Sequence, residues 1–432
     1  MRLTHVGYLR LPFGPLLSFD LSVEPAPSEP GQSLPVSFDQ RRHVGMGDRQ
    51  GSWMALSFRL PHPTPRDHLA AAWRAVVAAH GTLHTVFVPG PDGPGLFTAA
   101  LGAGRWTEHE VAPGQAMNDA VRGVLDAGCS PYARPSHRLC VVETADGPTL
   151  VVAADHAHVD LWSMLVIARD LLAALAQCAR GETPTPACVP AFAEHTLALQ
   201  NRPRAPEEIH RRWAEILESG GGVMPRFPLP LGEPGPQPER VEVRDVLDLA
   251  GLAAYSSRAA GQSVSALALT VSAMTETTRV LAGADLRVVF PVHSRSEERW
   301  HDSVGWFITN AVLESSDPDP VACAAAVREA IRLGSWPLAG IMAPYGGMPE
   351  APGMVAVSWV DLRRLPVQID AVGLDAQYVS AAVQTNGVML WFVLDDSGAH
   401  LRCRYPDTVQ ARRNVGAWLD DLVARIRVCA RR

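Results

Sequence analysis

Apolar positions along this chain switch period most sharply at residues 150–178. The run Leu150–Ala154 has the length of a buried strand. Four polar residues crowd in behind it: Asp155, His156, His158 and Asp160. Leu161, Leu165, Ala168, Leu172 and Leu175 then recur at helical spacing, with Met164 and Leu171 widening the stripe. A buried strand, a tight polar turn and an amphipathic helix together present reactive side chains at a strand end.

The same reading applied along the chain predicts a mixed α and β protein. Alternation near Leu9–Asp20 predicts a strand or two, followed by a Pro/Gly/Ser loop to residue 35. Trp53–Leu60 alternates as a half-buried strand, and Pro65 and Asp67 open a helix with Leu69, Ala72, Trp73, Val76, Val77 and His80 on one face. Thr82–Val88 reads as a strand and Asp119–Asp126 as a short helix. Arg138–Glu143 and Thr149–Ala154 form a hairpin around Asp146-Gly147. Gly181–Pro190 reads as a loop and a lobe boundary, which divides the chain into 1–185 and 186–432. In the second part, residues 207–219 start a helix behind Pro206, and the proline-rich stretch 225–238 reads as an extended connector. Ser263 is the expected cap of a helix reaching Val280. Leu286–Val292, residues 301–313, Met354–Trp359, Gly387–Leu394 and Gly398–Tyr405 supply strands, while residues 319–333 and 409–428 supply helices.

At 432 residues the chain exceeds one ordinary core, consistent with two lobes. Its net charge of −7 argues against a general nucleic-acid binder. All 38 basic residues are arginine, so Schiff-base, P-loop and general-base lysines are excluded. The seven cysteines form no C-x-x-C and no zinc spacing, and read as buried apolar residues of a reducing compartment. Arg10, Pro12 and Pro15 make the N-terminus a poor signal peptide, and no uninterrupted apolar run reaches the ~20 residues of a membrane span. The expectation is a cytoplasmic protein.

These stretches resemble, in order, the motifs of one superfamily. DHAHVDLWS (155–163) is similar to the HHxxxDG core of peptide condensation domains, and closer to the HxxxD form of the polyketide-associated (Pap) acyltransferases. SFDQRR (37–42), AAHGTLHTVF (78–87), Ser294-Arg295 ahead of VGWFITN (304–310), VAVSWVDLRRLP (355–366) and PLPLG (228–232) resemble further family segments. The resemblance implies an α/β fold of two chloramphenicol-acetyltransferase-like lobes, a V-shaped pseudo-dimer with a central tunnel. It implies acyl transfer from coenzyme A or a carrier-protein thioester to an acceptor hydroxyl, with no permanently bound cofactor, in a monomer. It maps the motif histidine onto His156 and the aspartate onto Asp160, with Arg295 as the partner of Asp160 across the lobes. Asp155 stands where the family's first histidine falls and Leu161 where it prefers glycine.

By spacing alone, His156 is equally a hydrogen-bonded histidine at a strand end; with the resemblance it becomes a general base, its imidazole matched to neutral pH by an ordinary pKa of about 6.5. His158 beside acids resembles half a metal site, but no second ligand cluster exists, and it and Asp155 read as supports of the turn. Trp162, Ser358 and Asn310, or backbone N–H groups at Leu161 and Trp162, are candidates for the oxyanion or the tunnel wall. Met164, Trp306 and Trp359 are tunnel or core. Arg363 and Arg364 are candidates for the donor phosphates, against the plainer reading as solvated surface. Two alternatives stay open: a free-standing condensation enzyme that forms an amide, and an inactive module that recruits a partner protein.

Overall fold

The computed structural model describes residues 1–25 and 33–431. Part of the expected loop before residue 35 lies outside them. The described residues form two units, each organised around one sheet. The first comprises residues 1–201, 295–307 and 365–382; the second comprises 202–294, 308–364 and 383–432. A single division after residue 185 therefore does not describe them. Three segments from beyond that point pack into the first unit, and the reason is visible in its sheet. Strand Gln377–Ser380 lies between Arg2–His5 and Trp53–Arg59, parallel to the former and antiparallel to the latter. Without it two strands would carry unpaired backbone N–H and C=O groups.

The sheet continues through Thr149–Asp155, His137–Val142, Leu16–Pro25 and Gly95–His109, with Ser33–Leu34 and Thr85–Val88 pairing on the last. Every residue of Thr149–Asp155 is buried. Val151 and Ala153 face a core that holds Met117, Val121 and Leu125 of the Met117–Gly128 helix. The helices Arg66–Ala79 and Leu161–Ala179 pack against each other. Burial on both faces explains why this strand reads as an unbroken apolar run rather than an alternating one.

The Leu161–Ala179 helix is long and apolar enough to cross a membrane by composition alone. It is instead a core helix, and its mid-helix charges are satisfied inside the unit. Asp170 meets His80 Nε2 at 2.9 Å, and Arg169 pairs with Asp170 and Asp302.

In the second unit the strand order is Ile308–Ser315, Leu286–His293, Val355–Asp361, Val388–Asp395, Gly398–Pro406, Gln237–Asp248 and Gln384–Thr385. The helices Leu249–Gly261, Ala266–Ala282, Pro320–Gly334 and Val409–Arg431 pack against it.

Several expectations are corrected. Only Thr85–Val88 of the predicted 82–88 strand is extended; Gly81–His84 is a 3-10 turn. Ser265, not Ser263, caps the 266–282 helix, its hydroxyl accepting from Ala268 N; Ser263 has φ 56° in the turn before it. Strands Gly95–His109 and Gln237–Asp248 are longer than any expectation for those regions. One is rich in glycine and alanine and the other in charge, so neither shows an apolar period. Cys188 is exposed, unlike the buried Cys129, Cys140, Cys178, Cys323 and Cys403.

Candidate active site

His156 begins the turn that leaves the end of the central strand. Its backbone N–H donates to Ser52 O at 3.0 Å, which anchors the turn to the neighbouring strand's entry. Its ring Nδ1 lies 2.8 Å from Val159 O. A carbonyl can only accept, so Nδ1 carries the proton and Nε2 presents its lone pair. The ring is partly exposed and stacks on the Trp306 indole at 4.3 Å with planes 21° apart. Burial lowers the His156 pKa below the ordinary histidine value, so the neutral form dominates at neutral pH.

Asp155, the last residue of the strand, is fully buried. Its carboxylate accepts from Ala157 N at 2.8 Å, from Ser52 Oγ, and from His43 Nε2 at 3.3 Å. Burial pushes this carboxyl up, but the bonds from His43 and Ser52 more than offset it and leave the group below the usual carboxylate range. Arg49 Nη2 donates to His43 Nδ1 at 2.9 Å. A guanidinium has no acceptor, so His43 must use Nε2 as its donor towards Asp155. The chain Arg49–His43–Asp155–Ser52 thus has one consistent proton arrangement. It lies beside His156, since the His43 ring is edge-on to both His156 (6.2 Å) and Trp306 (5.2 Å).

His43 is carried by the Phe38–Gly45 helix, which was not among the expected elements. Ser37 and Gln40 form a reciprocal capping box, and Gln40 Nε2 goes on to donate to Ala157 O at 2.8 Å. That one side chain ties the SFDQRR stretch to the turn that carries His156. Gln40, His43, Arg49 and Ser52 were not singled out from sequence. Gln40 does lie inside the SFDQRR stretch already noted.

Asp160 caps the Leu161–Ala179 helix, accepting from Ser163 N at 2.7 Å. It is held in a fork by Arg295, with Nη1 to Oδ2 at 3.2 Å and Nη2 to Oδ1 at 3.1 Å, and Phe307 N donates to Oδ2 at 3.1 Å. Arg295 Nη2 also donates to Ser163 Oγ at 2.7 Å and to Ser303 O at 3.1 Å, and its guanidinium lies 3.9 Å from the centre of the Phe307 ring. The pair lies within the first unit, because residues 295–307 pack there. Burial lowers the Arg295 pKa and Asp160 opposes the shift. Gly305 is required by close approach: a Cβ there would lie 2.4 Å from Phe192 Cβ.

Leu161 is the first residue of the helix, and among the described residues only Ser263 and Asp375 are non-glycine residues with positive φ. The backbone here needs no glycine, so leucine is compatible with the turn.

The remaining candidates scatter. His158 is buried against Phe87 at 5.3 Å, and burial lowers its pKa. No group of three His, Cys, Asp or Glu residues able to hold a metal occurs among the described residues. The Trp162 indole N–H is donated to His301 O at 2.9 Å, which removes it as an oxyanion donor. Met164 is core. Asn310, Ser358, Trp359, Arg363 and Arg364 belong to the second unit. Trp359 packs near Phe392; Arg363 and Arg364 are both exposed, and Arg363 is clamped by Asp361 through two bonds of 2.8 Å.

This fold is the one shared by Pap acyltransferases and condensation domains. The PapA2 acyl transferase superposes with a TM-score of 0.87 at 16% identity, covering 100% of both chains. The condensation domain of the Monacolin K polyketide synthase MokA gives 0.69 at 16% identity, covering 95% of this chain and 98% of that one. Among curated proteins, the chain is 30% identical over 319 residues to the probable nonribosomal peptide synthetase CymA of Salinispora arenicola, a match covering 69% of this chain. The chain spans only 4% of the length of that relative. No family model matches the sequence.

Proposed function

We propose that this chain is a thioester-dependent acyltransferase that forms an ester, with His156 as general base. The observation that carries the reading is the His156 ring itself: Nδ1–H bound to Val159 O, Nε2 presenting a lone pair, and a pKa held below the ordinary value. The acceptor O–H gives its proton to Nε2 as its oxygen attacks the thioester carbon. The C–S bond then breaks, and the sulfur leaves as the thiol of coenzyme A or a phosphopantetheinyl carrier after taking up that proton. Asp160 and Arg295 hold the turn, and Asp155 with His43 and Arg49 fix the strand end from which His156 projects. Arg364, with Arg363 tied to Asp361, is the candidate for the donor's phosphates. The protein works in the cytoplasm, as a monomer and without a resident cofactor.

A second reading, amide formation with an amine acceptor, is supported by the peptide synthetase among the curated relatives. One experiment separates these. Purified protein is offered acyl-CoAs and acyl carriers with matched alcohols and amines, beside His156→Ala. Ester product that His156→Ala abolishes supports the proposal, amide product selects the second reading, and no turnover of any donor overturns both. In that last case, capture of a partner enzyme supports a recruiting module.

A further inference from the structure

The second unit holds a cavity of about 290 Å³ beneath the C-terminal end of the Glu207–Ser219 helix. That volume is close to the lower bound of roughly 300 Å³ for small-molecule sites. Phe227, Val288, Val355, Val357, Leu390 and Trp418 give it an apolar floor, all of them buried. The Trp418 indole N–H is donated to Thr278 Oγ1 at 3.2 Å, so the floor offers a ligand no spare donor of its own.

The mouth differs. Arg226, Arg287 and Asp285 line it, with Glu314 behind Arg287 at 2.6 Å. Arg287 donates from Nε to Glu314 and from Nη2 to Ile216 O and Ser219 Oγ, and these bonds hold its guanidinium in place. Among the described residues no hydrogen bond involves its Nη1. Gly220 keeps that nitrogen open, since a Cβ there would come within 3.1 Å of it. Arg226 is exposed, and its guanidinium forms no ion pair or hydrogen bond among the described residues. A fixed arginine with a spare donor, a second arginine beside it and an apolar pocket below match one chemistry: a short hydrocarbon ending in a carboxylate.

We propose that this cavity binds a medium-chain carboxylate, with its tail between Phe227, Leu390 and Trp418 and its head on Arg287 Nη1 and Arg226. Every lining residue belongs to the second unit, whereas His156 and its supports belong to the first, so the proposal does not rest on the acyltransferase reading.

The test is calorimetric titration of the full chain with decanoate and with decan-1-ol, on the unaltered protein and on Arg226→Glu, Val357→Phe and His156→Ala. Saturable one-to-one binding of decanoate is expected, about fivefold tighter than the alcohol. Arg226→Glu, an exposed and fold-neutral change, removes that preference; His156→Ala leaves it intact. Val357→Phe fills the pocket and abolishes binding, with circular dichroism checking its fold; if it fails to fold, the Arg226→Glu comparison decides alone. The proposal is overturned by absence of saturable binding, by equal affinities for acid and alcohol, by an Arg226→Glu protein that keeps the preference, or by loss of binding in His156→Ala.

Discussion

At the scale of single residues, the stacked and partly buried His156 ring sets two expectations. Replacing it with alanine removes the proposed base and nothing that the core depends on. Turnover should fall by roughly 10²- to 10⁴-fold while the circular dichroism spectrum stays unchanged. Because its pKa is lowered, the deprotonated base persists below neutral pH, so kcat/KM should stay flat from pH 8 to about 6.5 and decline only below that, as initial rates across that range would show. Buried histidines also carry a stability consequence. His137, bonded to Leu83 O, has its pKa lowered to about 3 by burial, and His156 and His158 shift the same way. For His137, between about pH 6.5 and 3 the unfolded chain binds a proton that the folded chain does not, so stability falls as pH falls, by about 1.4 kcal/mol per pH unit, and His156 and His158 act in the same direction. Urea midpoints should therefore be lower at pH 5 than at pH 7.5; equal midpoints would contradict this account.

At the scale of elements, the Leu161–Ala179 helix starts where Asp160 both caps its backbone and binds Arg295. Asp160→Ala removes the cap and strands a buried guanidinium, with an expected cost of about 3–5 kcal/mol. Asp160→Asn keeps an oxygen for Ser163 N and should cost less. Arg295→Lys loses the fork and the approach to Phe307, and should behave more like Arg295→Ala than like the unaltered protein. Denaturant titration orders the four variants. Gly305→Ala belongs to the same element, because its new methyl meets Phe192 in the aromatic cluster with Trp300 and Phe307.

At the scale of the whole molecule, the first unit is assembled from three separated segments. A fragment ending at residue 201 would lack strand Gln377–Ser380, leaving Trp53–Arg59 as a bare edge, and would bury Asp160 without Arg295. Such a fragment should be aggregated or protease-labile where the full chain is not, as limited proteolysis would reveal.

Local order was readable in the chain. The run Leu150–Ala154, the polar turn and the helix behind it are stated by period and composition, because burial on both faces demands unbroken apolar residues and a helix demands a stripe. The motif order pointed to His156, Asp160 and Arg295 before any geometry was known. Tertiary structure alone decided the rest. It placed His43, Arg49 and Ser52 around Asp155, laid Trp306 on His156, carried 295–307 and 365–382 into the first unit, and drew the Trp162 N–H away to His301. Those are contacts between residues far apart in sequence, and no local period encodes which distant partner a polar side chain will meet.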